Sequence, residues 1–128
     1  MATVTYKVLQ KSIEERIIDA ACIYWNVDRD YFSRKSEEST IVYRKSVLYY
    51  LIKKNTVFSY KSIAEMFGFL SHQPVMRSVE NIEAQKNIYK QTFNDLKQIG
   101  QLADKLDASF ITTSITLINN KNTEEIYD

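Results

Sequence analysis

Glycine and proline are scarce in this chain, which has 2 glycines and 1 proline among its 128 residues. Folds made only of β-strands need many tight turns, and tight turns depend on these two residues. Hydrophobic residues make up 45% of the chain and charged residues 26%, as in an ordinary globular domain. The composition therefore predicts an all-α protein of one domain, with few breaks between its helices.

Cysteine and histidine occur once each, as Cys22 and His72. A single cysteine excludes an internal disulfide and favours a reducing compartment. One cysteine and one histidine, far apart in the sequence, do not have the spacing of zinc ligands, so no metal is expected. No nucleophile–base pair is indicated by the pattern either, and we predict that the protein is not an enzyme.

A phosphate-binding loop and a long apolar run are also missing. The loop needs two glycines five residues apart followed by lysine, whereas the glycines here are Gly68 and Gly100. We therefore expect no bound nucleotide and no other cofactor. No segment reaches the length of a membrane span, and the N-terminus lacks a secretory pattern. These absences favour a cytoplasmic protein with no membrane partner.

Apolar residues recur at steps of three and four along most of the chain, which is the spacing of helices. The first helix is predicted to begin after Ser12 and to end near Asn26, and Asp28 is predicted to cap a shorter helical segment. The strongest pattern runs over residues 36–55. The apolar stripe of this long helix consists of Val47, Leu48, Leu51 and Ile52.

A short helix that begins after Ser59 and ends at Gly68 is followed three residues later by Ser71, a favourable helix cap. Pro74 is tolerated in the first turn of the next helix, because the amides there have no partner within the helix. The apolar stripe of that helix consists of Val75, Val79 and Ile82. Two helices joined by a tight turn with glycine predict a helix-turn-helix at about residues 59–82.

The apolar step continues beyond residue 82 as far as Leu106. It predicts one long helix, or two with a bend near Gly100, packed on the first helix rather than in a coiled coil. Residues 109–128 are β-branched and polar, which fits either a strand beside the N-terminal segment or an ordered arm. We therefore predict a helical domain over residues 1–108 that includes a C-terminal helical extension, followed by a tail or arm over residues 109–128.

Positive charge is concentrated before and within the predicted turn region. Residues 29–61 carry eight Lys and Arg and three Asp and Glu, a net charge of +5 in a chain whose total is +1. Contacts to phosphate groups need such side chains on the surface that meets the duplex. A solvated helix face explains the same segregation equally well, so charge alone leaves both interpretations open.

Three stretches within residues 21–82 form a recognisable set: ACIYWNV, SRKSEESTIVYRKSVLYYL, and SYKSIAEMFG followed directly by FLSHQPV. They resemble the C-terminal DNA-binding domain, domain IV, of the bacterial replication initiator DnaA, whose signature reads Gly-Gly-Arg-Asp-His-Thr-Thr-Val where residues 68–75 read GFLSHQPV. The residues that match the family's pattern, which we call the frame, are Ile63, Phe67, Gly68, His72, Val75 and Ile82. The resemblance implies a helical bundle of the Trp-repressor and DnaA kind that binds double-stranded DNA.

In that family the signature Asp, His and Thr residues contact bases and phosphates in the major groove, and a basic residue of the long helix reaches the minor groove. The resemblance gives these roles to His72 and Lys45. The Arg, Asp and two Thr positions of the signature are occupied by other residues here: Leu70, Ser71, Gln73 and Pro74. The initiator's own target sequence is therefore not carried over to this chain.

The residue types at the start of the second helix support DNA reading without the family. Gln73 can pair with adenine, and His72 or Arg77 can address the acceptors of guanine. Ser71 and the helix N-terminus can hold a phosphate. The predicted DNA-binding residues are Arg44, Lys45, Lys53, Lys54, Lys61, Ser71, His72, Gln73 and Arg77.

These patterns predict a protein that binds duplex DNA with a sequence preference, in replication initiation or transcription control, without ATPase and in association with the nucleoid. A homodimer through the C-terminal helix is also expected, since a single module of this kind binds weakly. The alternative is a protein-interaction module that kept the frame and lost the residues that read bases. The four departures from the signature motivate this alternative. An antagonist of an initiator is a further alternative.

Overall fold

A computed structural model describes the backbone of residues 11–119 and the side chains of residues 11–106. Five α-helices and one 3₁₀ segment make up the regular structure of residues 11–119, which contain no strand. The elements are α1 Ile13–Trp25, the 3₁₀ segment Arg29–Ser33, α2 Ser39–Asn55, α3 Tyr60–Met66, α4 Gln73–Gln85 and α5 Lys90–Asn119. The predicted all-α fold is confirmed.

The first helix begins and ends as its capping residues predict. The hydroxyl of Ser12 accepts a hydrogen bond of 3.4 Å from an amide in the first turn of α1. Asn26 ends α1 with a φ of 57°, a left-handed conformation that asparagine tolerates, and Val27 then donates to a carbonyl of the last turn. Asp28 caps the 3₁₀ segment through its side chain.

The centre of the fold is α2, which packs against each of the other four helices. Its residues 45–52 are all buried, so the predicted stripe and the faces beside it lie inside the protein. A helix that is buried on most sides does not need a strongly amphipathic pattern. The same core contains fully buried side chains from four other elements: Phe32, Ile63, Ile82 and Ile99.

Helices α3 and α4 form the predicted helix-turn-helix. Ser59 caps α3, and Gly68 follows the helix with a φ of 82°. The amides of Gly68 and Phe69 donate to the carbonyls of Glu65 and Ala64 at 3.1 and 2.9 Å, which is the bonding pattern of a Schellman motif. Glycine suits this position because a side chain would be strained at such a φ.

The start of α4 differs from the sequence-based prediction by one residue. The N-cap is His72, whose side chain makes no capping bond, and the helix begins at Gln73. Ser71, which we had predicted as the cap, lies outside the helix and accepts a bond of 3.3 Å from the Gln73 amide. Pro74 lies in the first turn, as predicted.

A break separates α4 from the last helix. The Tyr89 amide donates back to the carbonyl of Gln85, the last residue of α4, before α5 begins at Lys90. The chain therefore has two helices after the turn, but they meet in this break and not in a bend at Gly100. Gly100 lies within the continuous helix α5, which packs on α1 as predicted.

The tail predicted over residues 109–128 continues the last helix as far as the backbone is described. Because α5 runs to Asn119, the strand considered for this part of the chain is not formed there. Residues 3–9, considered as the partner of that strand, lie outside the described residues, as do residues 120–128. The domain boundary after residue 108 stays a prediction.

A buried carboxylate joins α5 to the rest of the bundle. Asp95 is 4% exposed and accepts hydrogen bonds of 2.7 and 2.6 Å from the hydroxyls of Tyr24 on α1 and Tyr43 on α2. Burial, followed by the hydrogen bond to Asp95, raises the pKa of Tyr24 to about 12, and the same causes raise the pKa of Tyr43. Both hydroxyls therefore remain protonated at neutral pH and act as donors.

Candidate nucleic-acid interface

The outward end of the helix-turn-helix is formed by residues 70–74 and 77, which we call the tip. All six of these residues are exposed. The opposite face of α4 consists of Val75, Val79 and Ile82, which are buried in the core. The polar residues predicted to read bases therefore lie on one outward surface that a rigid frame supports.

Short-range bonds order the polar side chains of the tip. Nη2 of Arg77 lies 3.5 Å from Oε1 of Gln73, one helical turn earlier, so two predicted readers lie side by side. The first amides of α4 have no partner inside the helix, and the helix dipole favours an anion at this end. Ser71 satisfies the Gln73 amide, and its hydroxyl is exposed beside the others.

A groove of about 530 Å³ lies beside the tip. Three parts of the chain form its walls: the segment before α2, the first half of α2, and the turn with the start of α4. The lining residues are Lys35, Ser36, Glu37, Val42, Lys45, Tyr49, Phe69, Leu70, Ser71, Pro74, Val75 and Ser78. The fold thus brings residues 35–37 close to a helix that follows them by more than thirty residues.

A pair of adjacent cations that the sequence analysis did not select includes one residue of this groove. Lys35 lines it, Arg34 precedes Lys35, and both are exposed. The guanidinium of Arg34 lies 5.2 Å from the centre of the Tyr31 ring, which restricts its range of positions. The sequence holds two other adjacent pairs of cations, at 44–45 and 53–54, and only the fold distinguishes the pair at 34–35 from them.

Lys45 does not lie on the surface, contrary to the prediction of a direct DNA contact. It is 8% exposed, its ammonium donates to the carbonyl of Arg34, and that ammonium lies 4.8 Å from the centre of the Phe69 ring. Burial lowers the pKa of Lys45. The side chain is therefore a positioning group, because it ties both the segment before α2 and the turn to α2.

Replacing Lys45 by alanine tests this correction. We expect the free energy of unfolding to fall by about 1–3 kcal/mol, because a hydrogen bond from a charged group and a cation–π contact are lost. The slope of log affinity for duplex DNA against log salt should not change, because no phosphate contact is removed. Urea denaturation and duplex titration measure the two quantities. If the stability is unchanged and the slope is less steep by about 0.9, Lys45 contacts a phosphate instead. Lys61→Ala, at an exposed cation that is also predicted to contact DNA, is the control for that second result.

Lys54 lies away from the tip, although it was predicted to contact DNA. Its ammonium lies 3.4 Å from Glu83, near the far end of α4 and about 15 Å along the helix from Gln73. Hydrogen bonds from Lys86 and Tyr50 are the main reasons why the pKa of Glu83 falls to about 2. Glu83 is therefore ionised at neutral pH, and Lys54 shares this carboxylate with Lys86, whose ammonium is closer at 2.9 Å.

The other predicted cations differ in how freely they can reach a duplex. Lys61 is exposed in the first turn of α3. Arg44 is half-buried, with its guanidinium 5.3 Å from the centre of the Trp25 ring. Lys53 is half-buried and donates to the Phe58 carbonyl at 3.0 Å. Of the predicted residues, the structure brings together Ser71, His72, Gln73 and Arg77 at the tip.

Carboxylates occur near the tip but do not surround it. Glu37 lines the groove, and Glu38 is engaged as the cap of α2 through a bond of 3.2 Å to the Ile41 amide. Glu80 is exposed on α4, about one turn beyond Arg77. Residues 70–74 themselves include no acidic side chain, so the surface of the tip is neutral to positive.

Two negative findings apply to the described part of the chain. None of its helices combines the length and the apolar character needed to cross a membrane. Its side chains also include no group of three His, Cys, Asp or Glu residues placed to hold a metal ion.

The family comparison agrees with the frame described above. The model of the family described as the bacterial dnaA protein helix-turn-helix matches residues 14–82. The match begins earlier than the resemblance visible at residue 21, so it includes nearly all of α1 and ends within α4. No curated protein and no solved structure matches the chain. Because the match spans more than half of the chain and coincides with α1–α4, this protein belongs to the bacterial DnaA helix-turn-helix family.

Proposed function

We propose that this protein binds double-stranded DNA with a sequence preference, with the start of α4 in the major groove. Membership of the DnaA helix-turn-helix family suggests DNA binding. The observation that carries the proposal is the tip, where Ser71, His72 and Gln73 are exposed at the outward end of a helix whose other face is buried. Recognition helices read base edges with residues of their N-terminal turns.

The residues of the tip supply the chemistry of base reading. Gln73 presents an amide that can bond both N6 and N7 of adenine, and Arg77 beside it presents a guanidinium for O6 and N7 of guanine. His72 can donate to the same guanine acceptors. The Ser71 hydroxyl and the N-terminal end of the α4 dipole suit a phosphate at the edge of the groove. Each good bidentate pair discriminates between bases by about 1–3 kcal/mol.

Phosphate contacts are assigned to cations on the surface around the tip. Lys35 lines the groove, Arg34 precedes it in the chain, and both are exposed, as is Lys61 on α3. Arg44 and Lys53 are half-buried and contribute less, and Lys54 is paired with Glu83 away from the tip. This set differs from the sequence-based one, in which Lys45 and Lys54 were predicted to supply phosphate or minor-groove contacts.

The proposed role is in replication initiation or transcription control, in association with the nucleoid. These 128 residues contain no phosphate-binding loop, since the glycines are Gly68 and Gly100. We infer that these residues bind DNA without hydrolysing a nucleotide themselves. The departures from the family signature at residues 70, 71, 73 and 74 support a target sequence different from that of the initiator.

Dimerisation through the last helix stays a prediction. The start of α5 and the break before it carry three exposed large apolar side chains, Ile88, Tyr89 and Phe93, and this surface is compatible with a second copy. Two linked modules would bind DNA more tightly than one, because the second contact becomes intramolecular.

The second candidate function is a protein-interaction module. It is favoured by the apolar part of the groove, where Leu70 is 98% exposed and Val42 is 42% exposed. The two functions differ in their response to salt, because contacts to phosphate release counterions and apolar contacts do not.

The experiment is a titration of fluorescent mixed-sequence duplex DNA at 50 and 200 mM salt, followed by selection of a preferred site from a random pool. Four phosphate contacts would weaken binding about 100-fold between the two salt concentrations. His72→Ala/Gln73→Ala should reduce the preference for the selected site about tenfold or more, since each bidentate pair contributes about 1–3 kcal/mol.

Gln98→Ala/Gln101→Ala, at two exposed positions of α5, is the matched control and should keep the wild-type preference. Absence of duplex binding at 50 mM salt would contradict the proposal and support the interaction module. Binding without any dependence on salt would contradict it as well.

A further inference from the structure

Leu70 is the most exposed large apolar side chain of the tip. It is 98% exposed, whereas its neighbour Phe69 packs against the core. Gly68 fixes the turn in a left-handed conformation, so the backbone that carries Leu70 is held between the turn and α4. The isolated protein thus holds an apolar side chain in solvent on an ordered part of the fold, where it gains nothing from burial.

The surroundings of Leu70 restrict what can cover it. Ser71 and His72 follow it directly and are exposed, Pro74 lies beside it on the wall of the groove, and Lys35 lies on another wall. Polar side chains that can bond base edges thus lie next to an apolar group, with a cation at the border. This arrangement matches the major groove of DNA, where base edges are bordered by phosphates. A purely apolar partner would leave these polar groups without hydrogen-bond partners.

The major-groove edges of the four base pairs offer an apolar contact at the C5-methyl group of thymine. We propose that Leu70 is a specificity-determining residue that packs on this methyl group. The inference rests on the proposed DNA binding and adds to it a preference for a T·A pair at the position that faces the turn. Contact with a sugar would be the same for every base, whereas contact with the methyl group is lost when thymine is replaced by uracil.

The test uses the preferred duplex selected from a random pool by the wild-type protein. Each thymine of that duplex is replaced in turn by deoxyuridine, which removes the methyl group and keeps the Watson–Crick pair. We expect the affinity of the wild type to fall about fourfold at one position, the value for one methyl group removed from an apolar contact. Leu70→Ala should show no difference between thymine and uracil at that position.

Val57→Ala is the matched control, because Val57 is 100% exposed and lies between α2 and α3, outside the groove. It should discriminate between thymine and uracil as the wild type does. The inference is overturned if the wild type tolerates uracil at every position, if the selected site contains no thymine, or if Leu70→Ala still discriminates. In each of these cases salt-dependent duplex binding can persist, which separates this failure from a failure of DNA binding itself. Absence of duplex binding overturns both proposals.

Discussion

Replacing both Arg34 and Lys35 by glutamate is expected to lower the affinity for duplex DNA about 200-fold at 50 mM salt. Both side chains are exposed, and Lys35 lines the groove beside the tip. Each phosphate contact that is lost removes about 15-fold at this salt concentration, because log affinity changes by about 0.9 per contact for each tenfold change in salt, counted from about 1 M. Anisotropy titrations at several salt concentrations should also show a slope that is less steep by about 2.

The matched control for this double change is Lys90→Glu/Lys97→Glu. Both lysines are exposed on α5, and their replacement alters the net charge of the protein by the same amount. We expect a much smaller loss of affinity, because long-range repulsion is screened while direct contacts are not removed. Equal losses in the two variants would mean that net charge and not position decides binding. Undiminished binding by the Arg34/Lys35 variant would remove these residues from the interface.

Replacing Asp95 by alanine is expected to lower the free energy of unfolding by about 3 kcal/mol. Asp95 accepts the hydroxyls of Tyr24 and Tyr43 and is 4% exposed. Its loss removes two hydrogen bonds to a charged group and leaves the Tyr43 hydroxyl half-buried beside Thr92. Urea denaturation followed by circular dichroism measures the change.

Asp104→Ala, at an exposed position of the same helix, separates the hydrogen bonds from the general gain in helix propensity. It should change the free energy of unfolding by less than about 0.5 kcal/mol. The family match ends at residue 82, before α5. The contacts of Asp95 therefore join α5 to the part of the fold that the family match covers. A loss below about 1 kcal/mol for Asp95→Ala would mean that water replaces the carboxylate without cost.

Much of the fold follows from local sequence signals. Ser12, Asp28 and Ser59 cap their helices as predicted, and Gly68 ends α3 in the left-handed conformation. These outcomes were predictable because each depends on the chemistry of one residue and its nearest amides. The break between α4 and α5 was not predictable in this way, because the apolar step continues across it without a glycine or proline.

The positions of the charged side chains needed the tertiary structure. Lys45 and Lys54 belong to adjacent cation pairs on one helix, and their sequence neighbourhoods do not distinguish a buried lysine from an exposed one. Packing in the tertiary structure decides whether such a lysine is buried, since residues 45–52 are surrounded by other helices. The position of Lys35 at the groove was not predictable for the same reason, because its neighbours across the groove lie more than thirty residues later.

The residues of the tip could be predicted from the sequence, but the groove beside the tip could not. The turn and the cap-like residues 71–74 mark the start of a recognition helix, and the fold places them on the surface. The departures from the signature kept hydrogen-bonding groups at positions 71 and 73 and introduced apolar ones at 70 and 74. A protein that keeps the family's fold but has other residues at the base-contacting positions is therefore expected to dock on DNA in the same way and to prefer a different DNA sequence.

The most direct test of the interface is a titration of the ¹⁵N-labelled protein with a mixed-sequence duplex at 50 mM salt, with amide shifts followed by NMR. Changes are expected in residues 34–36 and 69–78, which form the segment before α2, the turn and the start of α4. The amides of residues 88–106 should move little. Shifts concentrated in the last helix, or no shifts at all, would show that the surface around the start of α4 does not meet DNA.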